Sequence, residues 1–475
     1  MADNKDVEEA KVVEKPPFRG REAIGYAFGD VGNGFFFQLV SNYMLIYATD
    51  ALGISPAIAG MIILVAKFVS AFTDFGFGRF SDQIKLRSDG RYHVFVRVLR
   101  YPLMISMILL FLPWVGSWPM ALRIVWATAM YIAWVFFYSG VSAPYGSIAS
   151  VSTPVVENRD KMAAARGFGS QAGGLIVGFI LPLIMYQSVK GQQTLAGGRF
   201  FWVALIFAAL AWICYQITLK LTVERIRVDK TKQERVPLHQ ILGSLFRNRA
   251  MIAIVITALT LILTQTLKNS VNAYLYKDVF NNNVALAFIA LTGSTGLILA
   301  PFAPKITARF GKKWPCGLLT LFTGVMYGIM FFVKISDPWV FFGASLIANI
   351  GDGFFNLMIW SLITDIIDDE QVRTHTREDG TVYTGYMFAR KIGQSLAGFL
   401  SGASVAWTGY VVASSGAHVT QAPDVLSKIY TVATAVPAIG YILIALVLLF
   451  LYPLSAQKVK ENAEIIAARR AKNEL

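Results

Sequence analysis

Residues 199–222 read RFFWVALIFAALAWICYQITLKLT, an almost uninterrupted apolar stretch with charges only near its two ends. A helix that crosses a membrane needs about 20 such residues. Similar stretches recur along the whole 475-residue chain, which is 55% apolar and only 15% charged. Soluble domains carry about 25% charged residues, so this composition excludes an ordinary soluble enzyme, a disordered chain and a disulfide scaffold. The sequence predicts an integral membrane protein.

The apolar stretches predict an all-α membrane protein with twelve transmembrane helices in two pseudo-symmetric six-helix bundles. The predicted spans are about 23–49, 55–80, 93–115, 120–148, 163–188, 199–222, 249–279, 284–309, 313–335, 338–366, 382–412 and 427–453. These spans divide the chain into an N-terminal tail (1–22), an N-terminal bundle (23–222), a central polar loop (223–248), a C-terminal bundle (249–453) and a C-terminal tail (454–475). The last tail reads as a polar amphipathic helix. The first tail is polar, so we expect no cleavable signal peptide.

Most of the positively charged residues lie on one side of the predicted membrane topology. Net charge is +14, and 33 of the 43 Lys and Arg residues fall in segments that twelve spans place on one side. These segments are 1–22, 79–100, 151–166, 220–249, 305–313, 369–380 and 454–475. Positive charge marks the cytoplasmic side and faces anionic lipid, so it needs no nucleic-acid partner. We expect a bacterial inner-membrane protein with both termini in the cytoplasm.

Polar side chains inside the spans are the candidate functional residues, because a charge there costs about 2.5–3.5 kcal/mol on insertion scales. They interrupt the first, fourth, seventh and tenth spans, which correspond in the pseudo-repeats and are expected to converge on a midplane substrate site. With two residues of the eleventh span, the predicted substrate-binding set is Asp30, Asn33, Gln38, Tyr145, Lys268, Asn269, Asn272, Asp352, Asn356, Trp360, Arg390 and Lys391. The alternative is that the polar groups only hold helices together, at about 0.6 kcal/mol each, and that the aromatic residues are ordinary core or lipid-facing side chains.

Asp74 in the second span is the best candidate for coupling transport to a cation. A buried carboxylate binds either a proton or, together with other oxygen ligands, a Na⁺ ion. Only one acid is evident here, which favours H⁺ over Na⁺. We expect no cofactor, because the two cysteines are a hundred residues apart and the chain has no metal-ligand cluster or phosphate loop.

Lys268 in the seventh span has no acid three or four residues away. An unpaired cation beside a cavity suggests an anionic group on the substrate, such as a carboxylate or a sulfonate. The alternative is that the side chain reaches the outer membrane interface along its own aliphatic stem.

Several motifs together resemble the glycoside–pentoside–hexuronide:cation symporters of the major facilitator superfamily, over nearly all of residues 20–453. They are VAKFVSAFTDFGFGRFSD (65–82), SAPYGSIAS (142–150), TDIIDDE (364–370) and VYTGYMFARKIGQSLAGFLSG (382–402). The resemblance implies that Asp74 is a cation-site carboxylate and that Lys391 lies between the sugar and cation sites. It also implies a set of charges at the cytoplasmic gate: Asp82, Arg166, Asp365, Asp368 and Arg377.

Three positions depart from the melibiose permeases within that family, two in the cation site and one in the sugar site. Ser70 and Ser142 stand where those permeases have further cation-site acids, and Gly34 stands where they have a galactoside-binding Asp. Asp30 lies one turn before Gly34. The GDVGN of 29–33 and the VYTGY of 382–386 resemble more closely the branch that carries glucuronides, xylosides and sulfoquinovose, and Lys268 suits an acidic sugar of that kind.

The sequence thus predicts a monomeric secondary transporter that imports a sugar or glycoside by cation symport through alternating access. Its expected partners are the sugar and membrane lipid. Two alternatives stay open, namely a carrier of a lysolipid or other small organic solute on the same fold, and a non-transporting membrane sensor. An enzyme is not expected, because no nucleophile–base pair is evident.

Overall fold

The computed structural model describes residues 11–12, 17–83, 90–153, 155–189, 192–227, 248–374, 379–412 and 419–471. The N-terminal half of this part, residues 17–227, contains α1 (Gly20–Ile46), α2 (Pro56–Gln83), α3 (Tyr92–Leu110), α4 (Met120–Ser152), α5 (Val156–Met185) and α6 (Gly197–Leu221). Two short antiparallel strand pairs accompany these helices, Lys11–Val12 with Ile226–Arg227 and Tyr186–Val189 with Gln192–Leu195.

The C-terminal half, residues 248–471, contains ten helices, several of them short. They are α7 (Arg249–Tyr274), α8 (Asn283–Ile289), α9 (Thr295–Leu299), α10 (Ala303–Phe310), α11 (Lys313–Val333), α12 (Pro338–Ala348), α13 (Ile350–Thr374), α14 (Asp379–Trp407), α15 (Pro423–Leu446) and α16 (Ala456–Ala471). Single π-helical turns extend α1, α7 and α15, at Tyr47–Ala51, Leu275–Val279 and Val447–Leu451.

Helix starts follow from local sequence. The Asp337 carboxylate accepts hydrogen bonds from the backbone N–H groups of Trp339 and Val340, at 2.8 and 2.9 Å, and Pro338 occupies the first turn of α12. The Asn248 side chain caps α7 in the same way through Ala250 N–H, at 2.8 Å. A capping oxygen satisfies one N–H that has no partner within the helix, and proline at the first position has no N–H to satisfy.

Nine helical segments in the described part of the chain are long and apolar enough to cross a membrane. The first and eleventh predicted spans, α1 and α14, have 27 and 29 residues, which is long enough, but they are more polar. The count of twelve is consistent with this layout. The predicted span at 284–309 is helical but interrupted, because the chain there forms α8, a 3-10 turn, α9 and α10.

The backbones of α9 and α13 are in close contact beside this break. A methyl group on Gly353 of α13 would lie 2.4 Å from the backbone nitrogen of Gly296 in α9, so two glycines let the helices touch. The predicted span 338–366 is also interrupted, at Asn349, and α13 then continues to Thr374. Hydroxyl groups donate to the carbonyls at this break, Thr323 to Ala348 at 2.6 Å and Thr295 to Asn349 at 2.8 Å, and the Asn349 carbonyl also accepts from Gly353 N–H at 2.9 Å.

The helices of each half pack mainly on one another, and two contacts join the halves along their length. In the N-terminal half α1 packs on α5 and α6, and α4 packs on α2 and α3; in the C-terminal half α15 packs on α11 and α7. Between the halves, α2 runs along α14 and α5 packs on α8. The domain boundaries stay a prediction, since most of the central loop lies outside the described residues.

One end of the molecule, here called the terminal end, holds the start of α1, the end of α13 and the helix α16. Arg225 donates two hydrogen bonds of 2.7 Å to Glu22 there, and the Glu224 carboxylate accepts from the first N–H groups of α3. The predicted amphipathic helix after 454 is α16, and Asn462 ties it to Asp369 of α13 at 3.0 Å. The other end, here called the opposite end, holds the turns after α1, α7 and α14.

The two cysteines, Cys214 in α6 and Cys316 in α11, are both free thiols buried among apolar side chains. The interpretation of these residues as small packing side chains is confirmed.

Candidate functional site

A cavity of about 350 Å³ lies between the two halves. Its walls come from α1, α5, α7, the broken stretch that begins at α8, and α13. The lining includes seven amide side chains, namely Gln38, Asn42, Gln171, Gln265, Asn269, Asn272 and Asn356. An amide both donates and accepts hydrogen bonds, so this wall is suited to an uncharged ligand rich in hydroxyl groups.

Lys268 and Asp352 bring opposite charges to the cavity wall. The Lys268 ammonium lies 3.8 Å from the Asp352 carboxylate, and the two side chains are only 8% and 9% exposed. The expectation of an unpaired Lys268 is therefore wrong, and so is the alternative that it reaches the membrane interface. Its partner lies on α13, so the spacing of residues along α7 gave no sign of it.

Neutral groups hold both charges in place. Lys268 donates to Asn349 at 2.6 Å and to Tyr441 at 3.2 Å. Asp352 accepts from Gln265 at 2.8 Å and from Asn356 at 3.0 Å. Asn349 stands at the break between α12 and α13, so the interruption of that span places an amide oxygen directly on the lysine. Discontinuous helices at a midplane site are typical of transporters.

Six residues of the predicted substrate set line the cavity together: Gln38, Lys268, Asn269, Asn272, Asp352 and Asn356. They lie on α1, α7 and α13, three of the four spans that were expected to converge. The structure adds Asn42 on α1 and Gln171 on α5. Gln171 was missed because the fifth span shows no stripe of polar residues at helical spacing.

Asp30, Asn33 and Tyr145 do not line this cavity, so their assignment to the substrate site stays a prediction. Asp30 instead forms an ion pair of 2.8 Å with Arg166, and Asn33 accepts from Tyr215 at 2.7 Å. Tyr145 is fully buried, stacks on Tyr26 and donates its hydroxyl to the Tyr26 carbonyl. These side chains join α1 to α4, α5 and α6 inside one half, and the Tyr145 ring has no open face for a sugar.

Trp360 and Arg390 lie apart from the cavity wall as well. Trp360 is 44% exposed and meets the edge of the Tyr386 ring at 5.5 Å. Arg390 donates to the hydroxyl of the same tyrosine at 3.0 Å. The two residues thus form a separate cluster between α13 and α14.

Asp74 of α2 and Lys391 of α14 form an ion pair that joins the two halves. Both side chains are partly exposed, at 21% and 29%. Lys67, two turns earlier on α2, donates to Ser41 at 3.1 Å and lies 4.8 Å from the centre of the Phe37 ring. The roles that the family resemblance implies for Asp74 and Lys391 stay a prediction.

The two serines of the predicted cation site lie near this pair. Ser70 is one turn before Asp74 on α2, and its neighbour Thr73 donates to Ser139 of α4 at 3.0 Å. Ser142 lies one turn beyond Ser139. Among the contacts of the described residues, neither the Ser70 nor the Ser142 hydroxyl bonds to Asp74.

A cluster at the opposite end was not predicted from the sequence. Asp50, in the turn after α1, forms an ion pair with Lys277, in the turn after α7. Tyr410, just beyond α14, accepts from Lys277 at 2.7 Å and donates to Asp50 at 3.1 Å. Asp278 lies 3.2 Å from the same lysine. The only available signal was that charges follow the first and seventh spans, at corresponding positions in the two bundles.

Further contacts join the halves at the same end. Thr49 and Tyr274 share a hydrogen bond of 2.9 Å, and the Asn281 side chain accepts from Gln193 N–H at 2.6 Å. Asn283 donates to the Pro182 carbonyl at 3.3 Å. Together with the Asp50–Lys277 pair, they close the opposite end of the molecule.

The predicted gate residues occupy the terminal end. Asp365 pairs with Lys312 of its own half at 2.6 Å, and Asp368 is half-buried one turn further along α13. Arg166 forms its ion pair with Asp30. Arg377 lies outside the described residues, and so does the side chain of Asp82.

The profile of the family described as MFS/sugar transport protein matches residues 25–456. The chain is 29% identical to the glucuronide carrier protein homolog of Escherichia coli (strain K12), covering 93% of this chain and 94% of that protein. It is 29% identical to a putative sulfoquinovose importer of the same organism (95% and 94% covered), and 27% identical to the isoprimeverose transporter of Lactiplantibacillus pentosus (93% and 90% covered).

Solved structures confirm the fold. A bacterial homologue of the human lysosomal transporter Spinster, inward-facing and unoccupied, superposes with a TM-score of 0.67 at 14% identity, over 94% of this chain and 99% of that one. A D-xylose–proton symporter gives 0.63 at 12% identity, over 91% and 98%. The family match confirms the resemblance found in the sequence. The chain belongs to the MFS/sugar transport protein family, and it is a multi-pass membrane transporter for sugars and not an enzyme.

Proposed function

We propose that this transporter imports a glycoside together with a proton across a bacterial cytoplasmic membrane, acting as a monomer with both termini in the cytoplasm. The observation that carries the proposal is the Asp74–Lys391 ion pair, because it bridges α2 and α14. These two helices belong to different halves. A change in the protonation of Asp74 therefore alters the ion pair between α2 and α14, at the interface that must move during alternating access.

The cavity supports a sugar as the substrate. Pockets of about 300–1,000 Å³ hold small molecules, and this one lies at the lower end of that range. Its amides pair with hydroxyl groups in both directions. A lysolipid needs an apolar chamber, which a wall with seven amides and two charges does not provide.

A proton suits the coupling site better than Na⁺ does. Na⁺ prefers several hard oxygen ligands, whereas Asp74 meets an ammonium group and receives no hydroxyl from Ser70 or Ser142 among the described contacts. A proton needs a single acceptor, and it would release Lys391 from its ionic partner.

The closed end defines the transport cycle that we propose. If the termini are cytoplasmic, the Asp50–Lys277–Tyr410 cluster seals the outer side and the cavity is reached from the cytoplasm. Opening outward then breaks this cluster and brings the charges of the terminal end together, including Asp365 and Asp368. Symport requires that the proton and the sugar each strengthen the binding of the other by the same factor.

Counterflow in proteoliposomes tests the transport function. The purified protein should exchange labelled glycosides, and a proton gradient should drive accumulation where a Na⁺ gradient does not. A control variant, Asp424→Asn, removes one carboxylate from an exposed pair with Lys428 and should exchange glycosides as the unchanged protein does. A lack of exchange for neutral, uronate and sulfonate glycosides alike would contradict the proposal and favour a sensor or another solute. Accumulation driven only by Na⁺ would contradict the assignment of the ion.

A further inference from the structure

Lys268 and Asp352 are the two charged side chains that line the cavity among the described residues. Because they carry opposite charges, the wall has no formal net charge. The relatives differ in the charge of the sugar that they are named for, since one is a glucuronide carrier homolog and another an isoprimeverose transporter. The pair is therefore where the cavity would distinguish a charged sugar from an uncharged one.

The lysine does not depend on Asp352 for its position. Asn349 and Tyr441 accept hydrogen bonds from its ammonium group, and the rings of Tyr441 and Tyr327 lie 5.4 and 5.8 Å from it. The contact with Asp352 is the longest of its polar contacts, at 3.8 Å. A hydrogen bond between nitrogen and oxygen spans about 2.7–3.2 Å, so this contact is ionic and not a hydrogen bond.

Asp352 is likewise held by neutral groups. One of its oxygens, Oδ1, accepts from Gln265 and Asn356, while the other, Oδ2, is the atom that faces Lys268. An ammonium group has three N–H donors, and Asn349 and Tyr441 use two of them. One N–H donor of Lys268 therefore remains for a ligand. It lies beside Oδ2 of Asp352, whose contact with the lysine is only the ionic one of 3.8 Å.

We propose that Asp352 is a specificity residue, which opposes a negatively charged group on the substrate and so lowers the preference of the cavity for acidic over neutral glycosides. The inference rests on the proposed role of this cavity as the sugar site. A carboxylate or sulfonate that binds Lys268 must lie next to Asp352. Like charges repel strongly where little water screens them. Without Asp352, the same lysine is an uncompensated cation that favours an acidic sugar.

The opposite role, in which Asp352 positions Lys268 for an acidic substrate, makes the opposite prediction. Under that role, loss of the carboxylate weakens the binding of an acidic sugar. The variants Asp352→Asn and Lys268→Gln separate the two roles, because each replaces one charged group with a neutral amide.

The probes are p-nitrophenyl glucoside and p-nitrophenyl glucuronide, which differ only at carbon 6. Each is measured as a competitor of glycoside counterflow in proteoliposomes. The quantity compared is the ratio of the two affinities, which does not depend on the amount of folded protein. Asp352→Asn should raise the glucuronide preference about tenfold. Lys268→Gln should lower it by a similar factor, and the exposed control Asp424→Asn should leave it as in the unchanged protein.

The outcomes separate this inference from the proposed function. A glucuronide preference that falls in Asp352→Asn, or stays the same while glycosides still exchange, overturns the inference and leaves sugar transport standing. An absence of glycoside exchange in the unchanged protein overturns the proposed function, and the inference with it.

Discussion

The carboxylate of Asp50 and the ammonium group of Lys277 form an ion pair across the two halves of the molecule. Both residues are buried, and each lies in a π-helical turn that extends a long helix, α1 in one half and α7 in the other. Tyr410 bonds to both charges. A buried ion pair costs free energy to break, because a charge then remains without its partner. The pair therefore stabilises the conformation that is closed at this end.

Removing the lysine should open this end. Lys277→Met leaves the carboxylates of Asp50 and Asp278 without their ammonium group, at a cost of about 3–5 kcal/mol to the closed conformation. A cysteine at Ala273, which lines the cavity, should then react severalfold faster with a membrane-impermeant thiol reagent added on that side. The measurement is made with both native cysteines replaced.

The control for this variant is Lys428→Met, which breaks an exposed pair with Asp424 near the same end. Exposed pairs contribute only about 0–1 kcal/mol, so labelling should stay close to the starting rate. Equal rates in Lys277→Met and Lys428→Met would show that the buried pair does not hold this end closed.

Neutralising Asp74 should separate exchange from accumulation. Asp74→Asn removes the group proposed to carry the proton and the ionic partner of Lys391. We expect uphill, proton-driven uptake to be lost, while exchange of labelled sugar across proteoliposomes persists. The control Asp424→Asn removes a carboxylate from an exposed pair with Lys428 and should accumulate sugar as the unchanged protein does. Normal accumulation by Asp74→Asn would rule out this residue as the coupling site.

The sequence predicted the structure well where residues of one kind follow a pattern that is compatible with a single structure. Apolar runs of membrane length became helices, and Lys268, Asn269 and Asn272 share a face of α7 that lines the cavity. The eighth span is interrupted in the structure, and an apolar run does not reveal contacts with distant residues. The close approach of Gly296 to Gly353 is of that kind.

Buried polar residues were harder to assign, because spacing does not say what a polar face meets. Asp30 of α1 and Tyr145 of α4 belong to groups of polar residues like that of α7, yet they contact Arg166 and Tyr26 inside one half. The same limit hid the partner of Lys268, which lies on another helix. Asp74 and Lys391 stood out as charges inside apolar spans, and the family motifs added their expected roles, but neither signal showed that the two residues pair.

Truncating a free amide in the cavity should weaken sugar binding. Asn269 lines the cavity, is exposed there, and has no hydrogen bond to another described residue. A hydrogen bond to a sugar hydroxyl contributes about 0.5–1.5 kcal/mol, so Asn269→Ala should raise the half-saturating sugar concentration in counterflow about two- to tenfold. Thermal stability should change little, because the amide supports no internal contact. An unchanged half-saturating concentration would remove this residue from the sugar site.

Adding one methyl group where α9 meets α13 should destabilise the fold. Gly353→Ala places a carbon 2.4 Å from the Gly296 nitrogen, so the helices must move apart. Such overpacking costs about 1–3 kcal/mol, and the unfolding temperature in detergent should fall. Gly343→Ala in α12 is the matched control, because nothing lies within 4 Å of the added carbon. Alanine favours a helix over glycine by about 1 kcal/mol, so this control should be as stable as the unchanged protein or more so. Equal unfolding temperatures for the two variants would mean that α9 and α13 do not pack this closely.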